Sequence, residues 1–230
     1  MSNNGFFVRC VDCMGSDTTI VNAARVSYGQ EVEEMGDKDI RLVKYLAKHN
    51  HTSPFRHVMV QLHIRCSEMI ARQLYKHVVG IECISGDATK DHAWNEISGR
   101  YVELDTDFWV PNEWRSLPGK GQSKQGSGKP VDLESQEEAF RLYTKAMTVS
   151  KEAYNGLLSV GVCKEQARCV LPMAFNTEFY WTASLQAMVN VVKLRNKPDA
   201  QREVQVIGAE IEKIIRDKFP IAAAAMLDLE

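Results

Sequence analysis

Apolar positions change their spacing several times along the chain, and each change marks an element. In residues 57–66, HVMVQLHIRC, Val58, Val60, Leu62 and Ile64 alternate with polar partners. That two-residue period predicts a half-buried strand. Residues 5–14, GFFVRCVDCM, read as another strand. In KDIRLVKYLAKH, residues 38–49, Ile40, Val43, Leu46 and Ala47 fall at helical spacing, and Pro54 breaks the chain beyond it. DTTIVNAARVS after Gly15 predicts a helix with Ser16 or Asp17 as N-cap. SEMIARQLYKHVV predicts a further helix, opened by Ser67 and Glu68.

The second half of the chain reads as helical. DLESQEEAFRLYTKAMTVSKEAYNGLLSVG is a long amphipathic run ending at Gly161, and CKEQARCVL follows until Pro172 stops it. Residues 177–195 predict a mostly apolar helix carrying Asn190 and closing on Lys193, Leu194 and Arg195; residues 199–218 predict another. No internal repeat is evident. Residues 116–130, SLPGKGQSKQGSGKP, are the one low-complexity stretch. A phosphate-loop reading fails there, because Ser123 stands where the first glycine belongs and Pro130 where Ser or Thr is required. The stretch reads as a flexible surface loop within a single domain spanning 1–230.

Composition narrows the class. With 230 residues, 44% of them hydrophobic and 25% charged, the chain suits one sizeable globular domain. A net charge of −2 argues against general nucleic-acid binding. The N-terminus lacks a basic segment followed by an apolar run, and no stretch approaches the ~20 apolar residues of a membrane span. A cytoplasmic address with no membrane partner is therefore expected. There the six cysteines (Cys10, Cys13, Cys66, Cys83, Cys163 and Cys169) should be reduced. Cys10 and Cys13 form a C-x-x-C on a strand rather than at a helix N-terminus, which favours buried or half-buried thiols over a redox centre.

Several residues carry candidate chemistry. His49, His51, His57 and His63 crowd one helix-to-strand corner, but no Asp or Glu stands close by to complete a metal shell. They read as polar groups available to a ligand, and no metal is assigned. On residues 68–77, Arg72 with Lys76 and Gln73 with His77 are four apart, one broad face suited to a phosphate. Arg100, Arg168 and Arg195 each stand in predominantly apolar sequence, where anionic or carbonyl-bearing ligands would offset their burial. Arg100 belongs to WNEISGRY, residues 94–101, which also packs Glu96 and Ser98 among Trp94, Ile97 and Tyr101.

Taken in order, GFFVRCVDCMGSDTTIVNAARVS, KHNHTSPFRH, ARQLYKH, NEISGRY, EQARCVLP and WTASLQAMVNVVKLR resemble a flavin-dependent thymidylate synthase. The similarity runs from residue 5 to near residue 215, and the combination is far more specific than any one motif. The resemblance implies an α+β fold, a central mostly antiparallel sheet flanked by helices, assembled as a homotetramer with active sites between subunits. It implies conversion of dUMP to dTMP, with 5,10-methylenetetrahydrofolate donating the carbon and FAD, reduced by NADPH, the electrons. Carried over by position, Gln73, Lys76, Glu96, Ser98, Gly99, Arg100 and Arg168 would hold the nucleotide, with Arg195 at the uracil edge as the catalytic charge. His51, Ser53, Lys76, His77, Glu96 and Asn190 would contact the flavin.

The chain departs from that family in places. The usual Arg-His-Arg reads Lys76-His77-Val78, and VGIECISGDATKD, residues 79–91, is an apparent insertion in which Lys90 could restore a cation. Ser184, Gln186 and Asp199 replace typical Asn, Arg and His. None of the six cysteines precedes a histidine, unlike the nucleophilic cysteine of the other thymidylate synthase family. Rival readings are a different one-carbon outcome such as hydroxymethylation, a non-catalytic flavin- or nucleotide-binding protein, and a metal-dependent hydrolase.

Overall fold

A computed structural model describes residues 5–77, 93–121 and 126–228. The insertion, with Lys90, lies outside them. In chain order the elements are β1 (Phe7–Met14), α1 (Asp17–Arg25), α2 (Asp37–Lys48), β2 (Met59–Ser67), α3 (Glu68–Leu74), β3 (Trp94–Glu96), α4 (Leu133–Ser159), α5 (Lys164–Ala167), β4 (Asn176–Ser184), α6 (Leu185–Arg195), α7 (Arg202–Lys218) and α8 (Pro220–Leu227). Short 3₁₀ turns cover Val26–Tyr28, Ser53–Arg56 and Arg168–Val170.

The sheet is antiparallel throughout, in the order β1-β2-β4-β3. The α+β architecture is the expected one. Alternation on β2 puts Val60, Leu62, Ile64 and Cys66 on the face that is wholly buried. Their partners on β4, Ala183, Trp181, Phe179 and Thr177, line the same face. Against it pack α6 and α7, with Val204, Ile207, Ile211 and Ile215 forming the inward stripe of α7, and α8 packs on α2, α6 and α7. The opposite face carries Gln61, His63 and Arg65 and stays partly open. Buried Asp17 accepts from the backbone N–H groups of Ile221 at 3.0 Å and Ala222 at 2.9 Å, satisfying two orphan donors at the start of α8.

One predicted helix is wrong in its first half. Residues 176–184 form strand β4, and only Leu185–Arg195 are helical. NTEFYWTAS is rich in aromatic and β-branched residues with a buried position at every second step, which suits a pleat between two partners. Ser184 ends the strand and caps α6, its Oγ accepting from the Ala187 N–H at 3.3 Å. The helix opened by Glu68 is also shorter than predicted. It ends at Leu74, so Lys76 and His77 sit in the turn beyond it rather than on its face.

A second, smaller core lies under α4. Leu104, Tyr154 and Ala167 are buried together, flanked by Leu157, Val162, Val170 and Phe175. The Tyr154 hydroxyl accepts from the Leu104 N–H at 3.0 Å. Elsewhere α4 is little covered: Phe140, Leu142 and Val149 are each more than half exposed. The stretch 116–130 is pinned at its base, Ser116 donating to Lys129 O at 2.9 Å and Gly128 to Ser116 O at 2.8 Å; residues 122–125 of it are not among the described ones.

Candidate active site

The sequence-predicted residues gather into two groups that no direct hydrogen bond or ion pair links among the described residues. The first forms where the turn after α3 meets the C-terminal end of α6. Arg195 donates from Nε to His77 Nε2 at 3.3 Å and from Nη2 to the Gln73 carbonyl at 3.2 Å. Its Nη1 has no partner among the described residues. Gln73 is held in turn, its amide nitrogen donating to Gln201 Oε1 at 2.7 Å. His77 is buried, and burial with the adjacent guanidinium pushes its pKa down to about 4. The ring is neutral near pH 7, and accepting at Nε2 places its proton on Nδ1. Burial also lowers the Arg195 pKa, which still leaves the guanidinium charged.

The second group rests on the smaller core. Ser98, Gly99 and Arg100 form a turn closed by the Tyr101 and Val102 N–H groups on the Ser98 carbonyl. Ser98 Oγ accepts from the Arg100 N–H at 3.3 Å. Gly99 is required here by close approach: a Cβ would come to 2.7 Å from Leu104 Cδ1 and 3.1 Å from Arg168 Cδ. The Arg168 stem therefore lies directly across the turn. Glu165 ties both arginines together, its carboxylate pairing with Arg100 at 3.3 Å and its carbonyl accepting from Arg168 Nε at 3.3 Å. Arg100 also lies over the Tyr101 ring, 5.5 Å from its centre. The expectation that all three arginines are buried fails for two of them. Arg100 and Arg168 are exposed in the single chain, and only Arg195 is half-buried.

Glu96 ends β3, just ahead of Ser98 in the chain. Its Oε2 accepts from Trp94 Nε1 at 3.1 Å, and its Oε1 accepts a short hydrogen bond from the Thr177 hydroxyl. Asn190 on α6 accepts from Gln186 Nε2 at 3.0 Å. The same helix packs against the 3₁₀ turn that begins with Ser53, and His51 precedes that turn. Lys76 is exposed at the end of the α3 turn, near exposed Arg72. Three residues missed in the sequence complete these contacts: Gln201, Glu165 and Thr177. Glu165 lies within a quoted motif, so its role was within reach; the others had no local signal.

Buried Gln186 Oε1 has no partner among the described residues, an orphan acceptor beside Asn190 that suits a donor on a bound ligand. With Asn190 and the Ser53 turn packed on the same helix, this set of polar groups suits a flavin. Cys66 lies at the buried end of β2, and burial with the charges of Glu96 and Glu68 pushes its thiol far up, which leaves it unreactive. Cys10 and Cys13 are half-buried on β1, and a bulge between Cys10 and Asp12 interrupts the ladder beside them.

Fold and site together define an α+β protein that presents one braced, half-buried guanidinium and a separate pair of exposed ones. A family profile described as thymidylate synthase complementing protein matches residues 9–221. The chain belongs to that family. It is 38% identical over 219 residues to a flavin-dependent thymidylate synthase of Thermus thermophilus, covering 95% of this chain and 74% of that one. It is 36% identical over 214 residues to a flavin-dependent thymidylate synthase of Thermosipho melanesiensis, covering 93% and 87%. Among solved structures it is similar to a UMP/dUMP methylase, PolB of Streptomyces cacaoi bound with 5-Br dUMP: TM-score 0.81, 28% identity, 97% and 95% of the two chains covered. No helix among the described residues is long and apolar enough to cross a membrane.

Proposed function

We propose that this protein is a flavin-dependent thymidylate synthase that methylates C5 of dUMP, taking carbon from 5,10-methylenetetrahydrofolate and electrons from FAD reduced by NADPH. The observation that carries the reading is Arg195. Its Nε and one Nη are fixed by neutral acceptors, so among the described residues its positive charge is pre-positioned and uncancelled, and Nη1 is left to meet a ligand. A guanidinium so held at the uracil edge stabilises negative charge developing on the ring and lets C5 act as a nucleophile. His77 remains neutral and therefore does not repel it.

Arg168 and Arg100 clamp the nucleotide phosphate as planar, permanently charged forks, with Ser98 and the Gly99 backbone beside them. Gln73 lines the same ligand from α3. His51, Ser53, Lys76, His77, Glu96 and Asn190 hold the flavin, which when bound supplies the reducing electrons that complete the methyl group. Burial raises the thiol pKa of Cys10, Cys13 and Cys66, which supports a route without a thiolate from any of these three. Each active site is shared between subunits of a homotetramer. Uncovered apolar side chains along α4 and the exposed Arg100, Tyr101 and Val102 support that assembly, because a neighbouring copy would cover both.

The test is direct. The purified protein should show flavin absorbance near one per chain and should form dTMP from dUMP with methylenetetrahydrofolate and NADPH. Product mass separates a methyl from a hydroxymethyl group. Because the Streptomyces cacaoi neighbour is described as acting on UMP as well as dUMP, both nucleotides belong in the assay. Bound flavin without turnover on either would overturn the proposal.

A further inference from the structure

Glu68 has no place in the ligand set carried over above, and at the first turn of α3 it reads simply as an acid matched to the helix dipole. The structure gives it another neighbour. Glu96 projects from β3 onto the sheet's inner face, where its register partner is buried Phe179. It reaches toward the end of the sheet at which α3 begins, bonding Thr177, the register partner of Cys66. There the Glu68 N–H donates to the Phe175 carbonyl at 3.0 Å, two residues before Thr177, and the Glu68 carboxyl meets that of Glu96. Two carboxylates offer only acceptors, so such a contact requires a proton on one of them. Glu68 is the less exposed of the two.

We infer that Glu68 is a positioning residue that stays protonated and donates its hydroxyl proton to Glu96. It is then the third donor on that carboxylate, after the Thr177 hydroxyl and the Trp94 indole. The charges around the pair agree. Burial and the negative charge of Glu96 push Glu68 upward, with Arg72 opposing. Arg72 is exposed and forms no ion pair with Glu68 among the described residues. From β2 comes the protonated Cys66 thiol, from β4 the neutral Thr177 hydroxyl. From α7 comes the neutral Gln201 amide, 3.8 Å from Met69 Sδ.

The bond also has a place in the site. Glu68 begins the helix leading to Gln73 and His77, while Glu96 ends the strand leading to Ser98, Gly99 and Arg100. A Glu68–Glu96 hydrogen bond joins the two groups while leaving one negative charge there instead of two, which suits an anionic nucleotide. This role rests on the proposed function; the shared proton does not.

The test uses two readouts on the full chain. Carboxyl NMR of ¹³C-glutamate-labelled protein, without flavin or nucleotide, follows wild type, Glu68→Gln and Glu96→Gln. Expected is one carboxyl titrating clearly above the ordinary glutamate value of about 4.3. It should vanish in Glu68→Gln and move down in Glu96→Gln. Glu68 titrating in the ordinary range, or indifferent to Glu96→Gln, would overturn the inference. Calorimetric dUMP binding to the flavin-loaded protein supplies the second readout. Glu68→Gln keeps an N–H donor and should retain affinity within about threefold, whereas Glu68→Ala should lose roughly tenfold. Equal affinities for the two variants would also overturn the positioning role. If wild type binds no dUMP, the functional proposal falls alone, and the carboxyl titration still decides the pair.

Discussion

Arg195 and Arg168 are assigned to one ligand, yet the fold treats them in opposite ways. Arg195 closes a helix of the main core, half-buried, with two of its nitrogens committed to neutral acceptors 118 and 122 residues away in sequence. Arg168 stands on the smaller core, exposed, its stem packed across Gly99 and its Nε on a local carbonyl. The difference follows from what each charge must do. A group that acts on the transition state loses its effect if it has to reorganise during the reaction, so it is worth burying and bracing. A phosphate clamp works from an exposed position, provided something orients its fork and the ligand covers it.

Four changes break or sharpen that contrast, the largest first. Arg195→Ala should lower dTMP formation by about 10²–10³-fold while flavin absorbance of the purified variant is retained. Unchanged turnover would remove Arg195 from the chemistry. The next effect is one of pH. Burial and Arg195 hold the His77 pKa at about 4 against 6.5 unfolded, so the unfolded chain binds more protons between those values. Stability from this group is complete above pH 6.5 and is lost as pH falls toward 4. The loss reaches about 3 kcal/mol, at roughly 1.36 kcal/mol per pKa unit. Denaturant midpoints across that range should slope less in His77→Asn; an equal slope would show that the braced half carries no buried neutral histidine.

Arg168→Ala should weaken dUMP binding roughly 10–100-fold, about 1.4–2.8 kcal/mol, and leave the rate at saturating nucleotide less affected than in Arg195→Ala. Calorimetry and steady-state kinetics on both variants check this. An equal loss of saturated rate would mean that the two arginines do one job. Smallest is Gly99→Ala, whose Cβ meets Leu104 and the Arg168 stem. It should cost about 1–2 kcal/mol in thermal or denaturant stability and displace Arg168. A variant as stable as wild type would show that the smaller core yields where the main one would not.

Much of this architecture was legible along the chain. Alternation gave β2, helical spacing gave α2, and the Ser16 cap and Gly161 stop placed an end of α1 and of α4. The resemblance put Gln73, Lys76, Glu96, Ser98, Gly99, Arg100, Arg168 and Arg195 on one ligand; within the chain Ser98, Gly99, Arg100 and Arg168 pack together, whereas Gln73 and Arg195 meet in the other group. What failed has a common cause. NTEFYWTAS was read as helix because a run apolar on most faces fits either element until a neighbour is known. Lys76 and His77 were read onto a helix face although the helix stops at Leu74, because no Gly or Pro marks that end. Arg100 and Arg168 were expected in apolar surroundings from flanking residues that pack beneath them rather than around them.

Period, caps and turn chemistry depend on a few adjacent residues, and these the amino-acid order determined by itself, along with the inventory of charges available to a ligand. Tertiary structure decided which charges are braced. Arg195 meets the Gln73 carbonyl and His77 only after folding has brought the end of α3 to the C-terminal end of α6. Glu68 finds Glu96 only because β3 pairs with β4 above the start of α3. The reason is physical: a guanidinium or carboxyl has the same intrinsic chemistry anywhere in a chain, whereas its solvation and partners, which set its protonation and its strength, exist only once distant segments have packed.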